Sequence, residues 1–119
     1  MPSYFERVTV VVPIDTDDLA TAQDTVEVRK LNYGERQRAI SKATRVKVQG
    51  KNQQDIDIDA GLMSMEMLKF AIVRWDGPGF EGQPVTPSNI EALPPEIADK
   101  LAEAVDTLNP ELSDEEKKA

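Results

Sequence analysis

The chain contains no cysteine and no histidine. The first absence excludes disulfide staples and thiolate metal sites. The second removes the commonest zinc ligand and the commonest general base, so no Ser-His or Cys-His arrangement can be assembled. Aromatics are scarce, with one Trp, two Tyr and three Phe in 119 residues, so aliphatic side chains and methionines must fill most of the core. Long apolar runs are missing too. The longest are Val10-Val11-Val12 and Phe70-Ala71-Ile72-Val73, far from the ~20 residues that span a bilayer. The opening Met1-Pro2-Ser3-Tyr4-Phe5-Glu6-Arg7 lacks the apolar core of a signal peptide, which gives a cytoplasmic protein as the expectation.

What is present is charge, unevenly placed. The net charge is −8. Residues 1–54 hold nine Lys/Arg against seven Asp/Glu, whereas residues 55–119 hold five against fifteen. Between Arg29 and Lys51 lie eight basic residues and one acid, Glu35. A basic stretch and an acidic half can attract each other within one molecule or between neighbours. The overall acidity argues against binding nucleic acid by phosphate neutralisation.

The length fits a single small domain over 1–110, with a polar tail over 111–119 that is expected to be disordered. Val8-Thr9-Val10-Val11-Val12, bounded by Pro13, and the alternating Thr25-Val26-Glu27-Val28-Arg29 predict two antiparallel strands, a hairpin within 1–31. Asn32 and Glu35 form a capping-box pattern that opens a helix through about Thr44. Val46 and Val48, then Ile56 and Ile58, alternate with polar residues across a turn-like segment, so either a second hairpin or an irregular loop follows. A central helix is expected from Asp59 or Ala60 to about Trp75. A short helical turn follows at Asn89 to Leu93, and a final amphipathic helix starts at Pro95 and stops at Asn109-Pro110. The predicted fold is α+β, an N-terminal β-hairpin packed on a mainly helical unit over 32–110.

Three patterns carry candidate function. On the central helix, Leu62, Met65, Leu68, Ile72 and Trp75 form one apolar stripe, and Met63, Met67 and Phe70 form a second. Packing on the last helix accounts for the first. The second is covered either by the N-terminal sheet or by a partner, and in the latter case Met63, Met67 and Phe70 are the binding residues, methionine being suited to irregular surfaces. Arg38, Lys42 and Arg45, at i, i+4 and i+7, line a basic ridge that is either a solvated helix face or a docking and self-association surface. Asp55, Asp57, Asp59 and Glu66 imitate a calcium-binding loop, but Ala60 stands where that loop needs Gly, and Ile56 and Ile58 read as strand alternation. An acidic strand face leading into a helix start accounts for them better, and no metal or other cofactor is expected. Gly77, Gly79 and Gly82 lack the strand-before, helix-after setting of a phosphate loop, and no spacing isolates a catalytic carboxylate pair. The expectation is a protein that is not an enzyme.

Four segments resemble the tail assembly chaperones of long-tailed bacteriophages. They are Val26-Glu27-Val28-Arg29-Lys30-Leu31-Asn32-Tyr33-Gly34-Glu35-Arg36, the helix end Val73-Arg74-Trp75-Asp76-Gly77, Pro84-Val85-Thr86-Pro87-Ser88-Asn89-Ile90-Glu91-Ala92-Leu93-Pro94, and the closing helix up to Leu108-Asn109-Pro110. Together they are spread over roughly two thirds of the chain, from Val26 to Pro110. The resemblance implies a small acidic protein of the host bacterial cytoplasm that coats the tape-measure protein, keeps it soluble and recruits tail-tube subunits. It also implies a short form of a product often made longer by frameshifting. Two rival readings stay open at this point: a structural tail or head–tail connector protein retained in the virion, and a calcium-binding module.

Overall fold

The computed structural model describes residues 4–48 and 54–110. The expected disordered tail lies outside them. The fold is α+β, as the sequence predicts.

Strands β1 (Thr9–Pro13) and β2 (Thr25–Arg29) pair antiparallel, with Val10 opposite Val28 and Val12 opposite Val26. Their connection is clamped by one carboxylate. Asp15 accepts the backbone N–H of Gln23 through both oxygens, at 3.0 and 2.9 Å, and that of Asp24 at 3.3 Å. Helix α1 (Tyr33–Ala43) follows directly. Its capping box is complete: Asn32 Oδ1 accepts the Glu35 N–H at 2.9 Å, and Glu35 Oε1 accepts the Asn32 N–H at 3.2 Å. Glu35 also meets Arg7 at 2.8 Å and Arg29 at 3.3 Å, so one buried carboxylate ties the N-terminal segment, β2 and α1 together.

Strands β3 (Thr44–Val48) and β4 (Gln54–Ile58) form a second antiparallel hairpin, one of the two alternatives the alternation allowed. Its base is closed by the Asp59 N–H donating to the Ala43 carbonyl at 2.9 Å. Helix α2 (Ala60–Ala71) starts at the same point, where Asp59 caps it by accepting the Leu62 N–H at 3.0 Å.

The first correction concerns the end of α2. The helix stops at Ala71, and Ile72–Asp76 forms strand β5, which pairs antiparallel with β2. The N-terminal sheet therefore has three strands, ordered β1-β2-β5, rather than two. Among the described residues, 32–110 supply three of the five strands, and β5 joins the sheet begun by the hairpin of 1–31. The helical appearance of Ile72 and Trp75 has a physical source. In a regular strand, residues three apart face opposite sides. Here a bulge opposite Glu27 and Val28 inserts Val73, so Ile72 pairs with Val28 and Trp75 with Val26 on the same core-facing side. An i, i+3 spacing usually diagnostic of a helix was produced by a bulged strand.

After β5, Trp75 stacks on Phe80 with ring centroids 4.9 Å apart, and its indole N–H donates to the Gln83 carbonyl at 2.6 Å. Gly77 sits at φ 124°, where a Cβ would collide with the backbone of Gln23 and Asp24, so the loop can lie on the β1–β2 connection only with glycine there. Helices α3 (Pro87–Glu91) and α4 (Pro95–Leu108) are the last elements among the described residues. Thr86 caps α3 by accepting the Asn89 N–H at 3.1 Å. Buried Asn109 joins the end of α4 to the end of β2, accepting the Leu31 N–H at 3.1 Å and donating to the Val105 carbonyl at 2.8 Å. The core is one cluster in which Val12, Val26 and Val28 of the sheet meet Met63, Met67 and Leu68 of α2 and Leu101 and Val105 of α4.

The Asp15 clamp makes a pH prediction. The backbone hydrogen bond from Gln23 is the largest influence on its carboxyl; burial opposes it, the Asp24 N–H reinforces it, and the net pKa lies below the ordinary value. Its stabilisation is thus present above the unfolded carboxylate pKa of about 3.9 and is lost as pH falls through the lower folded value. Asp15→Asn should lower the melting temperature near neutral pH. That difference from wild type should shrink toward zero in acid, as read by circular dichroism across a pH series.

Candidate docking surface

The structure places the sequence-predicted binding residues in three different situations. Met63 and Met67 are 0% and 1% exposed and lie at the centre of the core. Phe70 is half-buried against the same cluster, and its carbonyl accepts the Arg29 Nε–H at 3.2 Å. The exposed methionine-rich patch is therefore corrected: it does not form. Two apolar stripes on one helix suggested one surface too many for a small molecule to cover. Yet α2 packs against α1, α3 and α4 at once, and that enclosure buries Met63, Met67, Leu68 and Ala71.

The basic ridge is also corrected. Arg38 and Lys42 are exposed on α1, but the helix ends at Ala43 and Arg45 lies on β3, its backbone opposite Asp57, so the three do not share a helix face. The side chain of Arg45 lies outside the described residues. Lys42 reaches back to Glu66 at 3.6 Å. Glu66 is buried on α2 and also meets Lys69 at 3.3 Å, while Lys69 bridges on to Glu91 of α3 at 3.2 Å. Burial pushes the Lys69 ammonium toward a lower pKa, but the carboxylates of Glu91 and Glu66 outweigh it and hold the pKa above its ordinary value. Asp57 stands on β4, Asp59 caps α2 and Glu66 is held by lysines, so these three members of the calcium-loop pattern are dispersed into separate structural duties. Asp55 is also on β4, with its side chain outside the described residues.

Two surfaces that the sequence reading did not single out have the character of docking sites. The first is a groove of about 280 Å³ between α2, α3 and α4. Gly61, Ser64, Met65 and Leu68 form one wall at i, i+3, i+4 and i+7. Ala98, Asp99 and Ala102 form the other, and Ile90, Glu91 and Leu93 close one end. The groove exists because small side chains face each other across the two helices. Buried Leu68 gives it an apolar floor, with half-buried Met65 on the wall above it. Beside it the outward face of α4 carries Glu96, Asp99, Glu103 and Asp106, with burial pushing the Asp106 carboxyl above its usual pKa. Facing small residues, Gly61/Ser64 against Ala98/Ala102, were the legible signal. They were overlooked because each counts as neutral in a hydrophobic stripe.

The second surface is a corner where Tyr4, Phe5 and Tyr33 are all strongly exposed. A depression of about 380 Å³ there is lined by Tyr4, Phe5, Glu6, Arg7, Lys30, Leu31 and Asn32. It adjoins a smaller one that runs past Tyr33 and Arg36 to Asn109 and Pro110. Aromatics beside arginine are the composition enriched at protein–protein contacts. Among the described residues, no helix is long and apolar enough to cross a membrane. Comparison with known protein families, with curated proteins and with solved structures finds nothing that matches the chain.

Because Met67 is core, Met67→Ala should cost roughly 2–5 kcal/mol of folding stability, measured by denaturant unfolding. A loss near zero would place Met67 at the surface, where a partner could reach it.

Proposed function

We propose that the protein is a tail assembly chaperone of a long-tailed bacteriophage, a non-enzymatic holdase that binds the tape-measure protein and recruits tail-tube subunits in the host bacterial cytoplasm. The resemblance of four segments motivates the reading, and those segments fall on β2 with the capped start of α1, on β5, on α3 with its flanking prolines, and on α4. The observation that carries it is the apolar groove between α2, α3 and α4, flanked by the acids of α4. A holdase needs an accessible apolar seat, a solubilising surface and moderate affinity per contact, because it must later release its client. A shallow groove with an adaptable methionine on its wall and carboxylates alongside meets all three requirements. The seat is Met65, half-buried on the groove wall, in place of the buried Met63 and Met67.

Co-expression with the tape-measure protein tests this directly. Wild type should move most of the client into the soluble fraction, and Met65→Glu, a change at the half-buried rim of the groove, should return at least nine tenths of it to the pellet while keeping its own fold. Purified phage particles should contain no copy of the protein by mass spectrometry. A client that is equally soluble without the protein, or a stoichiometric copy in the particle, would remove the reading in favour of a structural virion component.

A further inference from the structure

The charge of the groove between α2, α3 and α4 has one sign. Two of its described lining residues are charged, Glu91 and Asp99, and both are acids. Glu91 is already engaged by Lys69 at 3.2 Å. Asp99 is not engaged, and it begins a row: Asp99, Glu103 and Asp106 follow one another along α4 at i, i+4 and i+7. Asp99 and Ala102 line the groove, and Asp106 continues their face of the helix one turn further on. Among the described residues, no cation meets any of these three acids. Lys100, the lysine of α4, is turned to Asp17 at 3.2 Å. Asp106 is half-buried, and burial pushes its carboxyl above the usual pKa with no cation there to offset it.

The walls of the groove set the shape of what can enter it. Gly61 and Ser64 on α2 face Ala98 and Ala102 on α4, so small side chains leave a furrow between two helices. A third helix fits such a furrow by laying one ridge of side chains into it. An extended strand would find no open row of backbone N–H and C=O there, because both walls are helical. The volume, about 280 Å³, falls below the roughly 300–1,000 Å³ of small-molecule sites. Charge removes other occupants. Nucleic acid and anionic lipid bring phosphates, which the acids of α4 repel. A second copy of the chain, with net charge −8, has the wrong sign as well.

We propose that the groove takes an amphipathic helix of a partner protein, whose apolar stripe covers Met65 and whose lysines or arginines, one turn apart along one flank, meet Asp99, Glu103 and Asp106. Apolar contact seats the helix. The charged flank fixes which way round it lies and speeds the encounter, and its contribution weakens as salt is added. The inference deepens the chaperone reading and rests on it for the groove being a client seat. What it adds is the sign and the spacing of charge that a client segment must carry.

The probe is a fluorescein-labelled peptide of about 18 residues, long enough to form a helix. It is built from Leu, Ala and Lys, with apolar side chains at i, i+3, i+4 and i+7 and lysines along one flank. Two companions replace Lys by Glu or shuffle the order of the same residues. By fluorescence anisotropy the lysine peptide should bind wild type at one site, and both companions at least tenfold more weakly. Asp99→Asn, Glu103→Gln and Asp106→Asn together should weaken the lysine peptide about tenfold. Asp18→Asn, Asp57→Asn and Glu81→Gln together remove the same number of charges from exposed acids elsewhere and should change it less than twofold. Gly61→Leu should plug the groove and weaken binding at least tenfold. A Cβ there meets only the Asp59 carboxylate, at 3.5 Å, so the fold is kept. Met65→Glu separates the groove from charge alone: it adds a negative charge, so general attraction would tighten binding whereas a damaged seat loosens it. Lysine and glutamate peptides that bind alike, a shuffled peptide as tight as the ordered one, equal losses in the two charge variants, or a tighter Met65→Glu would each overturn the proposal. The peptide comparison on wild type depends on no variant folding. It also contains no tape-measure protein, so it can fail while the co-expressed client stays soluble, and succeed where that client is not held.

Discussion

The bulge in β5 opposite Glu27 and Val28 is the constraint from which the remaining architecture follows. It lets Ile72, the first residue after α2, and Trp75, three residues later, both face the core. Without that extra residue, one of these two side chains would point to solvent. With it, the chain passes from helix to strand with no loop between them, which holds α2 close against the sheet it extends. β2 becomes a central strand with Val26 and Val28 fully buried. The methionines of α2 are sealed by the same placement, and β1 is left as the outer strand. A single local irregularity thus decides which apolar residues are structural and which strand is central.

Two buried carboxylates set the position of α1 relative to that frame. Glu35 at its first turn is met by Arg7 and Arg29, and Glu66 of α2 is met by Lys42 of its last turn and by Lys69. A buried ion pair contributes little net stability, since desolvation offsets the attraction, but leaving one carboxylate without its cation is costly. The pairs therefore act mainly on specificity: α1 docks where both acids find their cations. Lys42 is largely exposed, so its share in water is small, and Lys69 is the main partner of Glu66. Between these anchors, Ala39 and Ala43 are fully buried and allow close approach of α1 to α2.

Much of this was legible before any coordinates. Asn32 with Glu35 identified the start of α1, Pro95 and Asn109-Pro110 bounded α4, and β-branched runs marked β1 and β2, because each signal is local and each is obeyed locally. The end of α2 was not legible, since a bulge converts a strand's period of two into a helix-like spacing. Nor was the end of α1: Thr44 closes it in extended conformation, with neither the glycine nor the proline that usually marks a stop, and so Arg45 was assigned to the wrong element. The candidate site failed for a different reason. Periodicity counts how much apolar surface a helix has, but burial depends on how many neighbours reach it, and that is a property of topology. The groove was missed because it is defined by side chains that are too small to fill it, and a hydrophobic stripe records only what is large.

The same topology gives the uneven charge a spatial form. α1 and α4 both pack on α2. Arg38 and Lys42 project from α1, whereas Glu96, Asp99, Glu103 and Asp106 follow the outward face of α4. The pairs described above run through Lys42, Glu66, Lys69 and Glu91 across α1, α2 and α3, and none of them uses an acid of α4. The acids of α4 consequently keep most of their field for whatever approaches the adjoining groove. That field acts on the rate and orientation of an encounter more than on final affinity. Affinity in the groove must come mainly from Met65, since Leu68 is buried beneath it, and that apolar area is limited. For the proposed holdase, such a surface suits rapid capture of a client over long retention of it.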